Sequence, residues 1–210
     1  MITNPSLDIA KYCGLMEEIK LRISVIDFFI GGKGHALYVP PTLESACLQL
    51  RKILELVAFG SLVANKDAYT AVYAKASKKW DASNLLKELE QINTDFYPVP
   101  IIEMPSDIPG TVTKHKKREG DFLTKSDFAE VYGRCGVMAH AANPFGKGID
   151  YARYQQELPF WRNKVVNLLS IHEIRLVNTP GLYLIHMLEN QDNKVHGYKF
   201  EPPAIALHKG

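Results

Sequence analysis

Cysteine is scarce in this chain and forms no recognisable metal or disulfide pattern. The 210 residues include only Cys13, Cys47 and Cys135, and no two of them make a CxxC pair. An odd number of widely spaced cysteines argues against a disulfide framework and against a zinc site. We therefore expect a protein of the reducing cytoplasm, without a structural metal or another cofactor.

Long apolar runs and a strong net charge are also missing. The longest apolar stretches, such as residues 23–30, are too short to cross a membrane, and residues 1–14 lack the features of a signal peptide. The net charge is only +2, so no global field draws the chain to nucleic acid. We expect no membrane partner, and any contact with nucleic acid must use a local patch.

Helical periodicity is strong in two long segments near the start of the chain. Apolar residues recur at helical spacing over residues 7–30, where Ser6 is a suitable N-cap, and over residues 43–65, where Thr42 is one. The second segment is apolar around much of its circumference, which is typical of a central, buried helix. Further helices are predicted over residues 69–77, 84–92 and 149–169. Pro159 should kink or restart the last of them.

Four prolines exclude a long helix from residues 94–123. We expect this segment to run as extended chain over the surface, with a short edge strand at most. A basic run lies inside it, and a solvated loop is the simpler interpretation. The alternative is a nucleic-acid contact through Lys116, Lys117 and Arg118.

The hydrophobic period changes after residue 169. Three β-rich segments follow, separated by turn signals at residues 178–181 and 190–193. We predict a small three-stranded antiparallel meander over residues 170–210, packed on an antiparallel helical bundle formed by residues 1–169. The expected fold class is α+β, mainly α.

The segment 124–142 carries both helix signals and chemically active residues. Thr124 and Asp127 fit a capping box, and Asn143 precedes a proline that should end the helix. A helical projection gives this segment one apolar side, which should face the core. Its members are Phe128, Val131, Tyr132, Cys135, Met138, Ala139 and Ala142.

Arg134 and His140 lie on the opposite half of this helix, with Glu130, Gly133 and Val137 between them. A glycine inside a helix costs about 1 kcal/mol relative to alanine, and close approach of another surface is one reason to keep it. We infer that Gly133 and Val137 contact a second copy of the chain. Such a homodimer would bring two Arg–His sets into one groove.

This pair of residue types suits a particular chemistry. Histidine titrates near neutral pH and can move a proton, whereas arginine can hold a phosphate with two hydrogen bonds and stabilise developing charge. Arg134 and His140 would together fit metal-independent RNA cleavage, in which a 2′-hydroxyl attacks the adjacent phosphate. Asn143 is a further candidate for contact with the substrate, beside its role as a helix stop.

The helical pattern and the spacing Arg134-x5-His140 resemble the HEPN superfamily, whose helical bundles carry an arginine, four to six residues, and then a histidine. The resemblance covers residues 7–169. It implies a ribonuclease whose paired motifs meet at a homodimer interface, often a toxin or phage-defence component with a neutralising protein partner. Cys135, directly after the arginine, departs from the polar residue usual in that family.

Other interpretations stay open. Arg134 could simply pair with Glu130, and His140 could cap the helix end. Three function classes follow: a metal-independent ribonuclease, a non-catalytic HEPN-like module that binds RNA or a protein, and a helical domain that binds a small ligand.

The predicted strands add two weaker candidates. Three histidines on them could bind a metal, namely His172, His186 and His196. Three aromatic residues could stack on RNA bases, although packing of the sheet on the helices is the simpler interpretation. They are Tyr183, Tyr198 and Phe200.

Overall fold

The computed structural model describes residues 8–64, 82–108, 112–176 and 181–201, which form five helices and one five-stranded sheet. The helices are α1 (Ile9–Ile30), α2 (Val39–Ala64), α3 (Ala82–Ile92), α4 (Lys125–Val137) and α5 (Tyr151–Leu169). The strands are β1 (Val99–Pro105), β2 (Val112–Lys117), β3 (Ile171–Arg175), β4 (Leu182–His186) and β5 (His196–Phe200). The predicted α+β, mainly α class is confirmed. No helix within the described ranges is long and apolar enough to span a membrane.

Helix α2 is the centre of the core, as its composition predicts. It packs along α1 and also contacts α3, α4 and α5. Its buried residues lie on most of its circumference, and Leu50, Ile53 and Leu54 are fully excluded from solvent. A helix surrounded on several sides has little use for a polar face, so the broad apolar surface follows from its position.

The starts of the two long helices differ from expectation. Asp8, not Ser6, is the N-cap of α1, and its side chain accepts a hydrogen bond from the backbone N–H of Lys11. Helix α2 begins at Val39, so its two prolines lie in the first turn, where a missing N–H costs nothing. Thr42 is therefore inside the helix and donates its hydroxyl to the Tyr38 carbonyl.

The other predicted helices divide into three outcomes. The one over residues 84–92 is confirmed as α3, beginning two residues earlier. The one over residues 69–77 lies outside the described residues. The sequence predicts that Pro159 either kinks the last helix or restarts it. The helix does not restart, because α5 continues through Pro159 from Tyr151 to Leu169.

The predicted C-terminal meander is confirmed, but it is only part of a larger sheet. Strands β3, β4 and β5 pair antiparallel in sequence order, and the full order is β2-β1-β3-β4-β5. Residues 94–123 therefore do not merely cross the surface. They contribute a hairpin whose first strand is internal, because Pro100 of β1 pairs with His172 of β3.

The sheet has a helix-facing side and an outer side. Ile174, Tyr183 and Ile185 are buried on the helix-facing side and belong to the main core. Leu184 and Tyr198, which lie directly opposite each other on β4 and β5, alternate onto the outer side. The fold therefore presents two separate surfaces to solvent, one around α4 and one on the outer side of the sheet.

Candidate functional site

Helix α4 begins as the sequence predicts. The Thr124 hydroxyl accepts a hydrogen bond from the Asp127 backbone N–H at 3.1 Å, and the Asp127 carboxylate accepts one from the Thr124 backbone at 3.0 Å. Lys164 of α5 donates to the same carboxylate at 2.9 Å. Burial alone would raise the pKa of Asp127, but these hydrogen bonds and the ammonium hold that pKa below its ordinary value.

The helix ends earlier than expected, at Val137 instead of Ala142. The backbone N–H groups of Ala139 and His140 bond three residues back, to Gly136 and Val137, which tightens the last turn and stops the α-helix. His140 consequently lies outside the helix.

The expected core face is confirmed as far as the helix extends. Phe128, Val131, Tyr132, Cys135 and Met138 are buried. The last two residues of the predicted face, Ala139 and Ala142, are exposed because they follow the helix end.

Arg134 is held against α5. Its guanidinium forms an ion pair with Glu157 and lies 4.6 Å from the centre of the Trp161 ring and 5.2 Å from that of Tyr154. The expected pair with Glu130 is long, at 3.9 Å. Only 19% of the Arg134 side chain is exposed, so the group is fixed in orientation and mostly shielded.

The electrostatics around Arg134 favour the ion pair. Burial opposes the charge of Glu157, but hydrogen bonds from Arg134 and Arg153 hold the pKa of its carboxyl below the ordinary value. A phosphate bound by Arg134 would have to compete with this carboxylate. The arrangement also clamps α4 on α5, since the Tyr154 hydroxyl donates to the Arg134 carbonyl at 2.9 Å.

His140 has the opposite character. It is exposed in the segment after α4, and its side chain has no hydrogen-bond or ion-pair partner among the described residues. Val137, one turn before it, is 54% exposed although it is apolar. The structure thus provides an accessible imidazole one turn after an accessible apolar residue. In the described part of the chain the Arg134 side chain contacts Glu157, Trp161 and Tyr154, and not His140.

The two glycines of α4 have different surroundings. A Cβ on Gly136 would lie 2.9 Å from a guanidinium nitrogen of Arg51. The two terminal nitrogens of this guanidinium donate hydrogen bonds to Tyr132, one to its carbonyl and the other to its hydroxyl. Close approach at Gly136 is therefore explained inside one chain. A Cβ on Gly133 would meet nothing within 4 Å, so that position is open to solvent or to a partner.

The other residues expected to bind substrate lie on two separate segments. Lys116 and Lys117 are exposed at the end of β2, and Arg118 follows the strand with its backbone N–H bonded to Pro100. Lys116 lies 3.6 Å from Glu119. Asn143 is in the turn after α4, where its side chain accepts a hydrogen bond from the Phe145 backbone.

The basic run is therefore largely strand, not loop. Strand β2 is the edge of the sheet, and exposed lysines on an edge discourage pairing with another chain. The outer side of the sheet also carries exposed aromatic rings, Tyr198 and Phe200, whereas Tyr183 is buried. The Phe200 ring of β5 lies 6.4 Å from the His115 ring of β2, so the two outermost strands approach each other across the sheet.

Glu103 joins two histidines on this outer side. One of its carboxylate oxygens lies 3.2 Å from Nε2 of His115 and 3.2 Å from Nε2 of His186. A second carboxylate, that of Glu189, lies 3.5 Å from Nδ1 of His186 and accepts the Tyr198 hydroxyl. Sequence reasoning missed Glu103 and Glu189; strand alternation would have indicated Glu103 had β1 been recognised.

The three strand histidines do not converge. His172 is inside the core, whereas His186 and His196 lie opposite each other on β4 and β5. His196 is instead 3.1 Å from Asp192. Within the described residues there is no group of three or more His, Cys, Asp or Glu side chains that could hold a metal ion.

Comparison of the chain with known protein families, with curated proteins and with solved structures found no match.

Proposed function

We propose that this protein binds single-stranded RNA through the outer side of its sheet and the basic edge strand β2. One observation carries the proposal. The exposed Phe200 ring lies beside His115 on β2, the strand whose lysines are exposed to solvent. Aromatic rings can stack on unpaired bases while nearby ammonium groups neutralise phosphates.

Edge protection alone would also account for lysines on β2, but it gives no reason for exposed aromatic rings. Phe200 is 47% exposed, and Tyr198 is exposed beside it on the same side of the sheet. Of the β2 lysines, Lys117 lies on the same side of the strand as His115, whereas Lys114 and Lys116 alternate onto the opposite side of this edge strand. A single strand of nucleic acid can stack a base on the exposed rings while its phosphates follow the lysines along the edge. These features support RNA binding through a surface of the sheet and not through a helix.

Fluorescence anisotropy with a short labelled oligouridine tests the proposal. We expect Phe200→Ala to weaken binding about tenfold or more, since stacking contributes on the order of 1–3 kcal/mol per base. Replacing Lys114, Lys116 and Lys117 by glutamine should weaken binding and reduce its dependence on salt.

Matched controls separate the surface from general effects. Phe145→Ala removes another exposed ring. Replacing Lys33, Lys52 and Lys87 by glutamine removes the same charge from exposed positions on α2, on α3 and in the loop after α1. Both controls should bind like wild type. Binding that is equally reduced by the control lysines, or unchanged by Phe200→Ala, would contradict the proposed surface.

A metal-independent ribonuclease of HEPN type is the second candidate function, and the exposure of His140 favours it. His140 would transfer a proton, and Arg134, oriented by Glu157 and Trp161, would stabilise charge on the phosphate. The open position at Gly133 and the exposed Val137 would form the homodimer contact. A cytoplasmic toxin or phage-defence role with a neutralising protein partner belongs to this candidate.

Cleavage of a mixed RNA pool in EDTA tests the second candidate. Wild type should cleave, and His140→Ala and Arg134→Lys should not, while the controls His35→Ala and Arg162→Lys should remain active. Arg134→Lys keeps the positive charge that pairs with Glu157, so we expect this variant to fold. Circular dichroism checks that it is folded before its activity is compared. Folded wild-type protein that binds RNA without cutting it leaves RNA binding as the function and removes catalysis.

A further inference from the structure

The helical part of the protein contains a cavity of about 450 Å³. It lies between the C-terminal end of α1, the loop from residue 31 to residue 38, the first turns of α2, and the middle of α5. This volume is within the range of pockets that bind small molecules. The cavity is separate from α4 and from the outer side of the sheet.

The lining of the cavity is mostly apolar and carries no Asp, Glu, Lys or Arg; its polar side chains are those of His35, Tyr38, Thr42 and Gln155. Phe29, Ile30, Leu43 and Leu158 contribute apolar side chains from three helices. Desolvating a charged group in such surroundings would be costly, so the lining selects an uncharged ligand with an apolar body.

Pro159 leaves one backbone acceptor without its helical donor beside this wall. Proline has no backbone N–H, so the carbonyl of Gln155, four residues earlier in α5, lacks its ordinary helical donor. Both Gln155 and Pro159 line the cavity. A ligand that carries a hydroxyl or amino group can supply the donor that the helix does not.

Part of the cavity's mouth is formed by the loop between α1 and α2. Leu37 has a positive φ of 67° and is 88% exposed, a conformation that costs energy for a branched side chain. The loop is fixed by the Thr42 hydroxyl, which accepts the Ala36 N–H and donates to the Tyr38 carbonyl, each at 2.8 Å. These bonds define the path of the loop, and Leu37 lies exposed at the rim of the cavity.

We propose that this cavity is a binding site for an uncharged small molecule with an apolar body and one hydrogen-bond donor, which bonds to the Gln155 carbonyl. The site is independent of RNA binding and of RNA cleavage. It places a ligand among α1, α2 and α5.

A pair of fluorinated probes tests the proposal. The compounds para-trifluoromethylphenol and para-trifluoromethylanisole share an apolar body, but only the phenol carries a donor. Titration followed by ¹⁹F NMR should show the phenol binding wild type about fivefold more tightly, the size expected for one hydrogen bond.

Three variants locate the binding. Pro159→Ala restores the N–H that the Gln155 carbonyl lacks, so the preference for the phenol should disappear while the helix is retained. Val39→Trp fills the cavity from its exposed rim and should weaken both probes at least tenfold. Leu188→Trp, at an exposed position on the sheet side, is the matched control and should bind both probes like wild type.

The outcomes are decisive in either direction. The proposal is supported if wild type prefers the phenol, if Val39→Trp removes this binding, and if Pro159→Ala abolishes the preference for the phenol. These results would support both the site and the role of the Gln155 carbonyl. Equal binding of the two probes to wild type, absence of binding by either, or binding that survives Val39→Trp would overturn the proposal. RNA binding measured on the same variants should be unchanged, so failure of the cavity is distinguishable from failure of the RNA proposal.

Discussion

The Tyr12 hydroxyl of α1 lies 2.8 Å from Nε2 of His172 on β3, inside the core. Nδ1 of the same imidazole lies 2.7 Å from the Leu169 carbonyl. A neutral imidazole with its proton on Nδ1 donates to that carbonyl and accepts from the tyrosine, so both ring nitrogens are satisfied. Burial lowers the pKa of His172 to about 4, although the Leu169 carbonyl favours the protonated form.

This buried histidine should make stability depend on pH. The folded pKa is below the unfolded value, so the unfolded chain binds the proton between about pH 6.5 and about pH 4 while the folded chain does not. Stability is therefore present above the unfolded pKa and lost as pH falls towards the folded pKa. Urea unfolding should show a loss of about 2 kcal/mol between about pH 7.5 and about pH 5 from this residue alone.

The variant His172→Gln isolates that contribution. It should be less stable than wild type near neutral pH, because it disturbs a buried hydrogen-bond pair. Its stability should fall less steeply over the same pH interval. Equal slopes for the two proteins would show that His172 does not remain neutral in the folded state.

The ion pair between Arg134 and Glu157 should contribute measurably to stability. A double-mutant cycle with Arg134→Met and Glu157→Gln should give a coupling free energy of about 1 kcal/mol, at the upper end for pairs that are partly exposed. Chemical denaturation of the four proteins supplies the measurement. The pair Arg153→Met and Glu157→Gln is a useful comparison because Arg153 is far more exposed; a coupling as large there would contradict the special position of Arg134.

The capping box of α4 predicts a graded series at Thr124. Thr124→Ala should cost about 1 kcal/mol because the Asp127 backbone N–H loses its acceptor, whereas Thr124→Ser should be nearly neutral. Thermal unfolding monitored by circular dichroism compares the two. A serine variant as unstable as the alanine variant would indicate that the threonine methyl group, not the hydroxyl, is responsible.

The three cysteines should differ in reactivity. Cys47 and Cys135 are buried, and the Cys47 thiol together with burial raises the pKa of Cys135. Cys13 is partly exposed, although burial also raises the pKa of its thiol. Alkylation of native protein, followed by mass spectrometry, should modify Cys13 first and the other two only after denaturation. Early modification of Cys135 would contradict its placement in the core.

Local signals account for what the sequence predicts correctly. The capping box at Thr124, the apolar face of α4, the central position of α2 and the three C-terminal strands all depend on neighbours a few residues apart. The end of α4 was placed too late because the tighter final turn, not Asn143, stops the helix.

Features that depend on distant partners were missed. Strand β1 is short and contains prolines, and its neighbour β3 is about seventy positions away, so no local pattern indicates that it is internal. The carboxylate that fixes Arg134 comes from Glu157 on another helix, and the group that crowds Gly136 comes from Arg51 on α2. Spacing within one segment carries no information on such contacts.

The late position of β3 in the chain also constrains how the protein forms during translation, because both α1 and β1 contact it. Tyr12 and His172 are separated by 160 positions, so the ribosome works for on the order of ten seconds or more between adding one and adding the other. Throughout that interval the nascent α1 lacks the imidazole to which its tyrosine hydroxyl bonds. Once residues 99–117 have been made, the β1–β2 hairpin also has an open side where β3 will bind. A nascent chain of this protein therefore offers an incomplete sheet to chaperones until its last strands emerge.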